Sequence, residues 1–547
     1  MSPNIPDSQE LANRLTQAKV WSQFYQNYSP DYKISDKTFG DPSNRRIRII
    51  NIGAGLFGIN LAYWISAKCQ NFDLTVFEKS SELGGVWNHN RYPGVACDVP
   101  SHVGQDIQKY LQKCATTFDL DKYIKFHTRV LKAKWHEEGF WRVFVREELP
   151  NGDCREYHQD AEILVNNSGS QHVYQWPNVD GLDKFKGTLL HTAGWDERFD
   201  EEAWKGKTVA VIGSGASAVQ VVPRMQKIER TSRRTHPSFR PMGRASRGAS
   251  MASSRTFTAA LITKGMPSSF TPEFVPGCRR ITPGDPFIYA VQEPNVEVVF
   301  KGVAKLTEDG VVDTDGVERK VDAVGFNVDL IPRFEVIGPN GLRISEFLEQ
   351  NPDSYMSVAL AQFPNYFHGS TGAYWPSANG SLIGPMDAVA NYVVQVIQKL
   401  QMEHNIISVV PKQEAMDDFV EHAQTWLKGC AWSGDCPAWY KTQSGPLKGR
   451  VNLIWPGITL QFVRALSKVR WEDYDIKYAA SGEKSANRFL YLGDGLVKET
   501  FDAEMDDSPH IHLGAIDPRW SKAAGLTFVE GMQLLNNPEV VTNGRAV

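Results

Sequence analysis

The chain has 547 residues, of which 41% are hydrophobic and 22% charged, too apolar for a disordered chain and ordinary for a globular enzyme. At about 150 residues per domain, that length suggests three to four domains. With 59 basic against 63 acidic residues the net charge is -4, which argues against a dedicated nucleic-acid binder, and no run of about 18 apolar residues offers a membrane-spanning helix.

The first seven residues lack the basic start and apolar core of a secretory signal, so the expectation is a cytoplasmic protein. Residues 1–46 read as an N-terminal arm. Asp7 and Glu10 stand at capping-box spacing ahead of Leu11, Leu15 and Trp21, which predicts one amphipathic helix. Strand character begins at Ile47 and runs Ile-Arg-Ile-Ile-Asn-Ile to residue 52, directly into Gly53-Ala54-Gly55-Leu56-Phe57-Gly58. In such a turn Gly53 permits the tight bend, Gly55 lets backbone approach a pyrophosphate, and Gly58 allows close packing of helix on strand. The helix that follows offers unpaired N–H groups to phosphates. A second strand, Leu74 to Phe77, ends on Glu78, whose carboxylate is placed to accept from ribose hydroxyls. These features predict a bound dinucleotide.

A similar arrangement recurs 160 residues later. Thr208 to Ile212 enters Gly213-Ser214-Gly215-Ala216-Ser217-Ala218, with alanine at the third glycine position. Where NAD would call for an acidic residue, the chain has Arg230-Thr231-Ser232-Arg233-Arg234-Thr235. A guanidinium at Arg234 pairs with a 2′-phosphate that a carboxylate would repel, so this site is predicted to take NADPH. Two dinucleotide sites in one chain imply a flavin, a nicotinamide and hydride chemistry. Alternating strand–turn–helix units imply an α/β fold with two doubly wound, Rossmann-like sheets. Helical periodicity returns at 385–403 and 414–428, and Gly/Pro/Ser-rich loops are expected at 236–250, 265–286 and 369–385.

The seven cysteines are odd in number and scattered, which fits neither a dense disulfide framework nor a set of zinc ligands. Cys430 and Cys436 form the closest pair and have no His cluster near them, so all seven are expected as thiols, with no metal bound. No G-x-S-x-G elbow supports a hydrolase, and no closely spaced redox cysteine pair follows the first fold.

Between the two nucleotide motifs lies Phe185-Lys186-Gly187-Thr188-Leu189-Leu190-His191-Thr192-Ala193-Gly194-Trp195-Asp196. It matches F-x-G-x-x-x-H-x-x-x-W-[PD], and the chain thereby resembles the type I Baeyer–Villiger monooxygenases. Gly84-Gly85-Val86-Trp87 and Arg91 to Asp98 are similar to that family as well. Trp439-Tyr440-Lys441 and Asn452 to Gly457 resemble its fungal secondary-metabolism branch. The likeness covers roughly residues 32–500.

The resemblance implies FAD and NADPH as cofactors, dioxygen and a ketone as substrates, and an ester or lactone as product. It implies a discontinuous FAD domain, residues 47–180 and 330–547 with a helical C-terminal region, into which an NADP domain, residues 181–329, is inserted. By the match of Arg279-Arg280-Ile281 to the family's basic segment, Arg280 carries the stabilisation of negative charge at the reacting oxygens and Arg279 holds the NADP phosphate. Asp98, in the Cys97-Asp98 pair, orients Arg280 beside the flavin. FAD contacts carry over to Gly85, Val86 and Trp87, and NADP contacts to Gly213, Gly215, Ser217, Ala218, Arg234 and Thr235. His191 and Trp195 are read as positional, not as an acid–base pair. Oxygenation of nitrogen or sulfur, and a flavin binder without turnover, are the alternatives.

Two departures stand out. The aromatic-rich stretch that follows Ser101-His102 in the family is absent, and the segment D-x-[I/V]-x-x-A-T-G-[F/Y] is shortened to Asp322-Ala323-Val324-Gly325-Phe326. Both lie where a shift of about 1 Å can cost about a hundredfold in rate.

Overall fold

A computed structural model describes residues 33–97, 103–169, 176–228, 240–242, 274, 277–279, 284–326, 334–369, 372–376, 381–436, 438–442, 447–479 and 487–497. The predicted N-terminal helix, Arg234, Thr235, Asp98 and Arg280 lie outside these residues. The chain divides into two compact units. In the smaller (residues 1–44, 402–405 and 480–547), Phe39 bridges Val497 in parallel and its N–H donates to the Leu496 carbonyl at 3.0 Å. All elements below belong to the larger unit (residues 45–401 and 406–479), save the last residue of one helix.

In chain order the larger unit has strand β1 (Ile47–Ile52), helix α1 (Leu56–Lys68), β2 (Phe72–Phe77), helix α2 (Gly104–Thr117), β3 (Ile124–Lys125), β4 (Thr128–His136), β5 (Phe140–Glu148), β6 (Cys154–Ala161) and β7 (Ile163–Asn166). Next come β8 (Thr188–His191), β9 (Val209–Ile212), helix α3 (Ala216–Ile228), β10 (Arg240–Met242), β11 (Val303–Leu306), β12 (Gly310–Asp313), β13 (Glu318–Lys320), β14 (Ala323–Phe326), β15 (Glu335–Ile337) and β16 (Tyr366–His368). The C-terminal region adds helix α4 (Ile383–Met402), β17 (Ile406–Pro411), helix α5 (Gln413–Lys428), helix α6 (Thr459–Ala465) and β18 (Tyr474–Tyr478).

The first sheet has the order β16-β7-β1-β2-β3 and is parallel throughout. β1 is buried at every position but Arg48, which is why it reads as a continuous apolar run rather than an alternating one. Strand β16 returns to this sheet after the whole second fold, pairing Tyr366, Phe367 and His368 with Leu164, Val165 and Asn166. The C-terminal region also packs back on α1: Trp375 sits edge-on to Phe57 at 5.3 Å, and Trp64 Nε1 donates to Asp387 at 2.8 Å. The second sheet, β10-β9-β14-β8, is likewise parallel. An antiparallel sheet, β15-β4-β5-β6 apart from its parallel β15–β4 pair, stands beside the first.

Helices α4 and α5 realise the predicted periodic segments at 385–403 and 414–428. The loop expected at 236–250 is corrected in part, because Arg240 to Met242 pair with Ala210 to Ile212 as an edge strand. Among the described residues no helix is long and apolar enough to cross a membrane.

Described residues beside both shortened segments are regularly paired. Val103 bridges Ala96, and α2 begins at once with Gly104, where a Cβ would come 3.1 Å from Val95. Asp322 to Phe326 supplies the inner strand β14, in full register with Thr188 to His191 on one side and Val209 to Val211 on the other. Asp322 anchors it by accepting from the Thr208 N–H at 2.7 Å.

His368, on β16, is wholly buried, and burial pushes its pKa down to about 4. In the unfolded chain the same imidazole takes a proton near pH 6.5. The unfolded state therefore binds more protons between these values, so this contribution to stability is present above about pH 6.5 and is lost as pH falls to about 4. Urea midpoints measured across that window should decline with acidification. In His368→Gln the decline should flatten; an unchanged slope would reject the assignment.

Candidate functional site

The first glycine turn is held by three neighbours. Gly53 has φ +102°, and a Cβ there would lie 2.5 Å from the Asn167 carbonyl oxygen at the end of β7. At Gly58 a Cβ would collide with the Gly53 carbonyl oxygen, which explains the need for glycine where α1 meets β1. Gly85 (φ +57°) closes on the turn from outside, because its Cβ would stand 2.9 Å from the Gly55 Cα. The Gly84 N–H donates to the Ala54 carbonyl at 2.9 Å, tying the two glycine segments together. Val86 and Trp87 begin the short helix that follows Gly85. The result is a bare-backbone cradle at the N-terminus of α1, the shape and polarity that a pyrophosphate requires.

Glu78, at the end of β2, is 5% exposed. One carboxylate oxygen accepts from the Ala54 N–H and the other from the Ser80 N–H, both at 2.9 Å. Each oxygen keeps a second lone pair for a ribose hydroxyl. The carboxylate thus orders the turn, a duty that spacing alone does not reveal.

Sequence reasoning missed an amide relay beneath the turn. Asn51 is fully buried on β1, Asn167 Nδ2 donates to its Oδ1 at 2.6 Å, and Asn51 Nδ2 donates to the Gly53 carbonyl at 3.0 Å. The available signal was a lone amide inside the apolar run 47–52.

The second turn repeats the geometry with more room. Gly213 has φ +106° and, among the described residues, nothing within 4 Å of a Cβ. Gly215 accepts from the Val219 N–H at the start of α3, and Ser217 and Ala218 lie on the first turn of that helix. The segment from Tyr92 to Ala96 docks on α3: Tyr92 donates to Gln220 Oε1 at 2.9 Å, and Gln220 Nε2 donates to the Ala96 carbonyl at 3.0 Å. At Gly94 a Cβ would lie 2.7 Å from the Gln220 carbonyl oxygen, so the two glycine-turn folds meet through backbone.

The segment from Phe185 to Asp196 is built into the second sheet. A Cβ on Gly187 would lie 2.5 Å from the Asp322 carbonyl oxygen and 2.5 Å from the buried Phe185 ring. His191 is fully buried at the end of β8, where its Nδ1 accepts from the Ala193 N–H at 3.1 Å. Trp195 Nε1 donates to the Phe199 carbonyl at 3.2 Å. Gly187, His191 and Trp195 thus each have a structural task, in keeping with a positional role for His191 and Trp195.

Cys278 and Cys436 form a disulfide, which corrects the expectation of seven thiols. They are 158 residues apart in sequence, so cysteine spacing could not reveal the pair. Arg279 follows this bridge. It is partly buried and close enough to Tyr440 for the two to interact electrostatically; burial lowers the Arg279 pKa and raises that of Tyr440 to about 12.

Two parallel sheets, each delivering a strand into a glycine turn under a helix N-terminus, define a protein of two dinucleotides. Residues 52–114 match the NAD(P)-binding Rossmann-like domain, and residues 92–235 match the flavin-binding monooxygenase-like family. The chain is 36% identical over 563 aligned positions to the FAD-binding monooxygenase stcW of Emericella nidulans, covering 89% of this chain and 92% of that one. It is 29% identical over 492 positions to a Baeyer–Villiger monooxygenase of Pseudomonas aeruginosa, covering 78% and 90%. Its fold is similar to a closed crystal structure of cyclohexanone monooxygenase, with TM-score 0.67 and 20% identity over 80% of this chain and 100% of that one. The chain belongs to the FAD-binding monooxygenases.

Proposed function

We propose that this enzyme is a Baeyer–Villiger monooxygenase, inserting one atom of dioxygen beside the carbonyl of a bulky ketone in secondary metabolism. The observation that carries this reading is the segment from Phe185 to Asp196, whose Gly187 packs on the Asp322 carbonyl and the Phe185 ring, whose His191 ends a strand of the second sheet, and whose Trp195 is held by the Phe199 carbonyl. Residues 47–180 and 330–547 are assigned to the flavin and residues 181–329 to NADP.

Bound flavin, once reduced by NADPH, supplies the activation of dioxygen. The chain supplies placement and charge. Gly53, Gly55 and Gly58 with Gly85, Val86 and Trp87 seat the FAD pyrophosphate, and Glu78 accepts from its ribose. Gly213, Gly215, Ser217 and Ala218 seat the second pyrophosphate, and Arg234, Thr235 and Arg279 hold the 2′-phosphate. Arg280 brings a guanidinium, which stabilises negative charge as it develops on the ketone oxygen. Asp98 orients that guanidinium.

The purified yellow protein, given NADPH in air with cyclic and aryl ketones, should form esters or lactones, identified by mass spectrometry. Bleaching by NADPH without air should accompany this. Oxidation of amines or sulfides with every ketone untouched would overturn the reading.

A further inference from the structure

A buried lysine stands beside the disulfide. Cys278 and Cys436 are 0% and 4% exposed, and Lys441, five residues past Cys436, is 7% exposed. Its Nζ donates to the Cys436 carbonyl at 3.1 Å and to the Gly434 carbonyl, and it lies 3.9 Å from each sulfur. Burial lowers the Lys441 pKa, so the fold carries the cost of removing an ammonium from water at this point. The bridge and the lysine bracket one junction: Arg279 directly follows Cys278, and Tyr440, which interacts with Arg279, directly precedes Lys441.

We propose that the Cys278–Cys436 disulfide and Lys441 are a single positioning unit for Arg279, and that this is a thiol-sensitive site controlling NADP(H) affinity. The inference rests on the assignment of Arg279 to the NADP phosphate. A dithiol such as dithiothreitol delivers two electrons and two protons. The bond between the cysteines breaks to give two thiols, and the reagent closes to its cyclic disulfide. The Lys441 ammonium stabilises the sulfur that leaves as thiolate during exchange. Once the covalent tie is gone, Cys278 is no longer fixed to Cys436, and Arg279, the next residue, loses its fixed position.

Thiols counted on the denatured full chain should number five before reduction and seven after. Seven before reduction would overturn the bridge. The affinity for NADP+ by equilibrium titration and the KM for NADPH should each weaken about tenfold on reduction, with kcat changed less than about twofold, since small displacements act strongly on a positioned charge. Reoxidation of the same folded sample should restore both, which avoids reliance on cysteine variants that fail to fold. Lys441→Met should reproduce the weakening and Lys441→Arg should recover most of it. Equal NADP+ affinity in the oxidised and reduced enzyme would reject the positioning unit. Arg279→Ala separates the two readings: unchanged NADP+ affinity in that variant would reject the role of Arg279 while leaving the thiol count intact.

Discussion

Replacing Gly53 by alanine is expected to leave a folded chain that purifies almost without flavin. The backbone there has φ +102°, a conformation that costs a side-chain-bearing residue about 1–3 kcal/mol. The added methyl would also stand 2.5 Å from the Asn167 carbonyl oxygen and 3.2 Å from the Ser168 Cα. Neither neighbour is a flexible side-chain tip. Asn167 is pinned through its own N–H to the Ile52 carbonyl at 3.0 Å and through its amide to Asn51. The turn itself must therefore move, and with it the N–H groups at the start of α1 that would face a pyrophosphate in the proposed reading. Gly213→Ala provides the control, because that glycine shares the positive φ but has, among the described residues, nothing within 4 Å of the new methyl. The ratio of flavin to protein absorbance should fall below about one tenth of wild type in Gly53→Ala, a loss comparable to about 1.4 kcal/mol or more of binding. In Gly213→Ala flavin content should hold, with only the NADPH KM rising. Normal flavin in Gly53→Ala would mean that the cradle is not where the pyrophosphate sits.

The glycine turns were legible in the sequence because their demands are local. A strand, a bend and a helix start lie within a dozen residues, and each glycine answers a steric need of its own segment. The apolar runs at 47–52 and 208–212 and the periodic helices were legible for the same reason. Features that depend on distant partners were not. The Asn51–Asn167 amide relay joins residues 116 apart, and the disulfide joins residues 158 apart. The sheet of β4, β5 and β6 did carry a readable signal. Trp141, Val143 and Val145 are buried while Arg142 and Phe144 between them and Arg146 after them are not, the period-two pattern of a half-buried strand. The shortened segment at Asp322 looked damaging against the family pattern. Four residues in register are nevertheless enough for an inner strand when both neighbours are already in place.

Arg280→Ala is expected to lower kcat for ester formation by about 10²–10³ while NADPH still reduces the flavin at the wild-type rate. The separation follows from where charge develops. Hydride transfer would be governed by how the nicotinamide lies against the flavin, a matter, in the proposed reading, for the two glycine turns. Attack on a ketone carbonyl places negative charge on its oxygen, and only then does a fixed guanidinium stabilise the transition state more than the ground state. Arg280→Lys should recover part of the rate, because ammonium keeps the charge and loses the planar fork that a carboxylate such as Asp98 can align. Asp98→Asn should fall between wild type and Arg280→Ala, since it leaves the cation and removes its orienting partner. Anaerobic stopped-flow with NADPH measures the first half of the cycle, and product analysis after admission of air and ketone measures the second. Parallel loss in both halves would make Arg280 a cofactor-binding residue rather than a catalytic one. Full retention of ester formation would remove it from the site, and with it the charge that sets a ketone oxygenase apart from one acting on nitrogen or sulfur.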